Sequence, residues 1–86
     1  MMYEIHFKPM ALKALLKMPR NQALIIRTKI DALKEDPYAK NNNVKKLKEV
    51  EGYRLRIGDW RVIYHINDKA LKILVIKIAS RGEVYK

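Results

Sequence analysis

Eighty-six residues, 49% hydrophobic and 33% charged, make one small globular domain (1–86) with room for a single core, and exclude a disordered or fibrous chain. Nineteen Lys and Arg against nine Asp and Glu give a formal charge of +10, which calls for a polyanionic partner: nucleic acid first, then an acidic protein or an anionic membrane surface. With no cysteine and two histidines the chain has no disulfide framework, thiolate nucleophile or structural zinc site; no cofactor, metal or membrane span is expected, and the start is unlike a signal peptide, so the reading is cytoplasmic.

Met2 to Phe7 alternates and carries β-formers, which predicts a first strand. Pro9 ends it and suits the first turn of a helix; Leu12, Leu15 and Leu16 recur at helical spacing, so Pro9 to Lys17 reads as a short helix. Met18 to Asn21 is a break. From about Asn21 the stripe Leu24, Ile26, Ile30 and Leu33 predicts a second helix, stopped by Asp36-Pro37. Tyr38 to Val50, with Asn41-Asn42-Asn43, reads as a loop anchored by Val44 and Leu47.

Gly52 to Tyr64 is the most informative stretch. Two alternating runs flank Gly58-Asp59, a dipeptide suited to a two-residue primed turn. That turn pairs Ile57 with Trp60, Arg56 with Arg61, Leu55 with Val62, Arg54 with Ile63 and Tyr53 with Tyr64. Side chains alternate between faces, so Arg54, Arg56 and Arg61 share one face while Leu55, Val62 and Tyr64 share the other. Opposed arginines are poor for stability and sensible as an anion site. After a turn at Asn67-Asp68-Lys69, Leu71 to Ile78 is apolar on both faces, as internal strands are. The expected architecture is α+β, a single β-α-α-β-β-β domain. Two helices cover one face of a mostly antiparallel four-stranded sheet in the order first, fourth, third, second.

Around the arginine face, three other groups carry candidate chemistry. Lys45, Lys46 and Lys48, preceded by Lys40, add charge that steers a polyanion toward a phosphate-binding face, although a lysine run is most often solvated surface. His65 falls on the face of Arg61 if the strand continues without a bulge, and is the neutral-pH acid–base candidate there; a lone strand histidine is more often structural. Arg81 and Tyr85, just beyond the internal strand, can reach the open face, with a ring for base stacking; a frayed tail is the plainer reading.

The segments Val44-Lys45-Lys46-Leu47, Gly52 to Tyr64, and Arg81 with Val84-Tyr85 resemble the RelE/ParE superfamily of toxins from type II toxin–antitoxin pairs, over nearly the whole chain. For the RelE branch the resemblance implies a ribosome-dependent mRNA endonuclease that acts in the A site, where a ribose 2′-hydroxyl attacks the adjacent phosphate. It implies as partners the ribosome, mRNA and a cognate antitoxin, held in a toxin–antitoxin hetero-oligomer with an acidic or amphipathic antitoxin segment over the basic surface. Carried over by position, Arg61 matches the phosphate-stabilising arginine, and Arg81 and Tyr85 match the C-terminal basic residue and tyrosine. Arg54 and Arg56 stand where RelE enzymes often have lysines, and Ser80 where many relatives have histidine. Arginine is a poor general base, which leaves that role to His65, Tyr85 or the RNA. Two other readings stay open: a ParE-like poison of DNA gyrase, which needs no nuclease site, and a non-catalytic basic module that binds nucleic acid or ribosomes.

Overall fold

The computed structural model of the chain describes residues 2–48 and 51–80. In chain order the elements are β1 (Glu4–Phe7), α1 (Pro9–Lys17), α2 (Arg20–Asp31) running into a 3-10 turn (Ala32–Lys34), then β2 (Val44–Lys46), β3 (Tyr53–Ile57), β4 (Trp60–Asn67) and β5 (Lys72–Ser80). They form a five-stranded sheet in the order β1-β5-β4-β3-β2, with β1 parallel to β5 and the other pairs antiparallel.

The expected order of the four main strands holds, and one expectation is corrected. Val44 to Lys46, read as loop, is an edge strand against β3, with Lys45 opposite Arg54. Its ends are tied by Leu47 N–H to Gly52 O at 3.0 Å and by Arg56 N–H to Asn43 O at 2.8 Å.

Each helix starts where the backbone is already primed. Pro9 occupies the first turn of α1, and extended residues at Lys8 and Pro19 precede the two helices. Their inward stripes are short: Ala11 and Leu15 from α1, Ile26 and Ile30 from α2, with Met18 and Leu33 at the ends. These pack on Leu55, Val62, Tyr64, Ile73, Val75 and Ile78, the residues of the sheet's covered face. Burying branched aliphatic side chains of this kind stabilises by about 1.5–3 kcal/mol each.

The hairpin register is the one the turn demands, from Ile57 opposite Trp60 to Tyr53 opposite Tyr64. Gly58 sits at φ 57, the left-handed conformation that a primed turn requires. A bulge interrupts the next ladder: Ile63 pairs with Lys77, but Tyr64 pairs with Val75, so Ile76 is the extra residue and lies in β5. Alternation in β4 is therefore unbroken through His65. Among the described residues no helix is long and apolar enough to cross a membrane.

Candidate functional site

The helices cover one side of the sheet, and cross-strand pairing assembles the side they leave open into rungs. Nearest the hairpin turn, Arg56 stands opposite Arg61, and Arg61 opposite Ala79. One pleat further along, Lys45 stands opposite Arg54, Arg54 opposite Ile63, and Ile63 opposite Lys77. Neighbouring strands lie about 4.8 Å apart and successive same-face residues about 7 Å, so the two rungs gather five cationic side chains over a patch the size of a few nucleotides.

The guanidiniums at the turn are not left to repel one another freely. Arg61 is partly buried and donates from Nη1 to the carbonyls of Gly58, at 2.9 Å, and Trp60, at 3.0 Å. Arg56 is exposed and donates from Nη2 to Asn43 Oδ1 at 3.3 Å. A guanidinium has five N–H donors, so the tether on Arg61 holds its plane and leaves Nε and Nη2 available. Arg54 is half-buried within the second rung, between Lys45 and Ile63.

His65 occupies the same face of β4, two pleats beyond Arg61, with Nε2 3.3 Å from Glu51 Oε1. Four strand residues span about 13 Å, so an anion held at Arg61 is remote from this imidazole. The lysine group expected at 45–48 is divided. Lys45 joins the arginine face, Lys46 pairs with Tyr53 on the opposite face, and Lys48 follows the strand as an exposed residue. Lys40 stands exposed in the preceding loop. Arg81 and Tyr85 lie outside the described residues; β5 ends at Ser80, opposite Trp60.

Sequence reasoning passed over two members of the face. Lys77 is hidden in an apolar strand and reaches the second rung through the bulge at Ile76, while Asn43, at the foot of β2, orients Arg56. Among the described residues no three His, Asp or Glu side chains converge to hold a metal ion.

This geometry suits a linear polyanion: closely spaced guanidiniums on a rigid strand pair, one of them tied in place, with ammonium groups beside them. Comparison with known proteins is consistent with that surface. The family model described as the ParE toxin of the parDE type II toxin–antitoxin system matches residues 5–85. A comparison with curated protein sequences found no match. Among solved structures, the archaeal RelE–RelB complex from Pyrococcus horikoshii is similar at 31% identity and TM-score 0.83, covering 96% of this chain and 99% of that one. The isolated E. coli RelE toxin is similar at 25% identity and TM-score 0.78, covering 96% and 90%. The intact E. coli RelBE toxin–antitoxin complex shares the fold at 23% identity and TM-score 0.78, covering 94% and 98%.

Proposed function

We propose that this chain, which belongs to the RelE/ParE superfamily of type II toxin–antitoxin toxins, cleaves mRNA on the translating ribosome. The observation that carries this reading is the register placing Arg54, Arg56 and Arg61 on one open face, with Lys45 and Lys77 beside them.

In the reaction the 2′-oxygen of one ribose attacks the neighbouring phosphorus, negative charge builds on the non-bridging oxygens, and the bond from phosphorus to the 5′-oxygen breaks, leaving a 2′,3′-cyclic phosphate and a 5′-hydroxyl whose proton comes from water. Arg61, tied by its two carbonyl bonds, neutralises that charge without reorganising. Arg56 and Arg54 hold the adjacent phosphates, and Arg81 and Tyr85 complete the site as the family pattern implies. Because these arginines stay protonated, acceptance of the 2′-proton falls to Tyr85 or to the RNA; His65, held by Glu51 further along β4, is better placed to bind a more distant phosphate. Positioning on the ribosome supplies the rest of the acceleration. A cognate antitoxin with an acidic or amphipathic segment over the same face would neutralise the toxin.

A second reading, a gyrase poison, is favoured by one observation, the match to the family model described for the ParE toxin. Brief expression followed by primer extension on a translated transcript separates the two. Codon-phased cuts that vanish under a translation block support mRNA cleavage; gyrase-linked DNA breaks without such cuts overturn it in favour of the second.

A further inference from the structure

A cavity of about 420 Å³ opens on the other side of the hairpin from the arginine face, between the end of α2, the loop before β2 and the end of β3. Its floor is aliphatic, formed by Leu33, Leu55 and Ile57, with Ala32 and Ala39 at the walls. Its cations are Lys29, Lys40 and Arg56, and its only acid among the described residues is Asp36. Two asparagines, Asn41 and Asn43, stand where the loop runs into β2.

The polar groups are partly committed already, and what remains is informative. Asn41 Oδ1 accepts from Asn43 N–H at 2.9 Å, and Asn43 Oδ1 accepts from Arg56 at 3.3 Å. Asp36 Oδ1 accepts from Tyr38 N–H at 3.1 Å. Both amide oxygens are therefore used, that of Asn41 within the loop and that of Asn43 by Arg56 of β3, leaving the NH₂ groups as donors and the second oxygen of Asp36 as an acceptor. A ligand that fits must offer apolar faces to the floor, acceptors to the amides, a donor to Asp36 and negative charge to the lysines.

We propose that this cavity binds one nucleotide of the RNA, the base resting on Leu33, Leu55 and Ile57 and the phosphate held by Lys29 and Lys40, with Arg56 and Asn43 as the sill joining it to the arginine face. The proposal rests on the RNA-cleaving reading and adds base preference to it. The volume lies within the range of about 300–1,000 Å³ typical of small-molecule sites, and single-stranded RNA is read by unstacking bases and bonding their edges. An acidic peptide side chain answers to the lysines and the amide donors equally well, but it has no donor for Asp36 and no flat apolar face for the aliphatic floor; the base has both.

The test titrates ¹⁵N-labelled full chain with each of the four nucleoside 5′-monophosphates, with inorganic phosphate and with hexaglutamate. The expected result is saturable movement of the Ala39, Lys40, Asn41, Asn43 and Gly58 amides with at least one nucleotide, and none of that pattern with phosphate. Ala39→Trp, which fills the cavity from an exposed position, should weaken that nucleotide roughly tenfold or more while phosphate still moves the Arg54, Arg56 and Arg61 amides. Equal response to phosphate, response only to hexaglutamate, or nucleotide shifts confined to the arginine face each overturn the proposal. Binding without translated-transcript cuts keeps the cavity as a nucleotide site and removes the nuclease reading; cuts without binding do the reverse.

Discussion

Arg56 and Arg61 face each other across the β3–β4 ladder while each guanidinium is drawn to a different partner, Arg56 to Asn43 and Arg61 to the carbonyls of Gly58 and Trp60. Like charges directly opposite in an antiparallel pair destabilise by up to about 1 kcal/mol, and added salt screens that repulsion. Arg56→Thr, which keeps a good β-former, should therefore raise the unfolding free energy measured in urea at low ionic strength by about 0.5 kcal/mol, with the gain shrinking in high salt. The same variant should weaken growth arrest. A loss of stability in low salt would instead mean that the Asn43 bond outweighs the repulsion.

The tether on Arg61 makes a sharper claim than charge alone. Arg61→Lys keeps the positive charge but loses the planar fork that reaches Gly58 O and Trp60 O while presenting further donors. Translation-dependent cutting should fall by roughly 10²–10³, as for loss of one preorganised donor, and Arg61→Ala should fall at least as far. Both variants should stay folded, since two charge-assisted hydrogen bonds at this partly exposed position contribute at most about 1.5–3 kcal/mol each, less than the stability of a typical domain. Full activity in Arg61→Lys would reduce this residue to a point charge.

The hairpin was legible because its signals are local: alternation on both sides of Gly58-Asp59 sets turn, register and face together. β2 was not, because Val44 to Lys46 is only three residues long, follows an Asn-rich run and owes its conformation to pairing with Tyr53 to Leu55. Lys77 was hidden by a different effect. Ile73 and Val75 point to the core, so unbroken alternation sends residue 77 inward as well; the extra residue Ile76 reverses the parity and places Lys77 on the open face and Ile78 in the core. A bulge of this kind leaves no mark in a run of apolar residues. The division of Lys45 from Lys46 follows as soon as β2 is a strand. The cavity beside Arg56 depends on how the loop at 36–43 lies against α2, which no periodicity encodes.

At the end of the sheet away from the hairpin turn, Asp68 receives the hydroxyls of Tyr3, at 2.8 Å, and Tyr38, at 2.9 and 2.8 Å to its two oxygens. Ionising either phenol would set a phenolate against the carboxylate. Tyr3 is raised above the ordinary tyrosine value chiefly by its Asp68 hydrogen bond, and Tyr38 by burial and then by Asp68. A pKa raised in the folded state gives stability that is complete below the unfolded value of 10.0 and lost as pH rises above it. Asp68→Asn should lower stability at pH 7 and bring tyrosinate absorbance in at lower pH, more for Tyr3 than for Tyr38. An unchanged alkaline titration would show that the carboxylate does not set these groups.

Tyr64 tests the opposite case, a buried hydroxyl without compensation. Its ring stacks on Tyr53 at 5.7 Å, and its Oη is buried with no hydrogen-bond partner among the described residues. Burial pushes its pKa up to about 12, so its contribution, complete below pH 10, declines between there and about 12. Tyr64→Phe keeps the ring and removes the stranded group, whose desolvation costs about 1–3 kcal/mol when unmet. The variant should equal or exceed the parent in urea stability at pH 7 and lose less stability above pH 10. A clear loss at pH 7 would reveal a partner for the hydroxyl.

The two described glycines with positive φ should respond to substitution to different degrees. Gly58, at φ 57, has open space where a Cβ would stand, so Gly58→Asn carries backbone strain alone and should cost about 1 kcal/mol. Gly52 is at φ 148, where an added Cβ would lie 3.0 Å from the backbone oxygen of Tyr64. Backbone strain of this type costs about 1–3 kcal/mol, and here the neighbouring atom belongs to the rigid β4 strand and cannot retreat cheaply. The same glycine's carbonyl accepts from Leu47 N–H and so fastens the end of β2, the strand that carries Lys45 to the arginine face. Gly52→Ala should therefore lose about 2 kcal/mol or more in urea unfolding and weaken growth arrest, while Gly58→Asn loses only about 1 kcal/mol and leaves growth arrest near the parent value. If Gly52→Ala matched the parent in both measurements, β2 would be fastened by something other than this close approach.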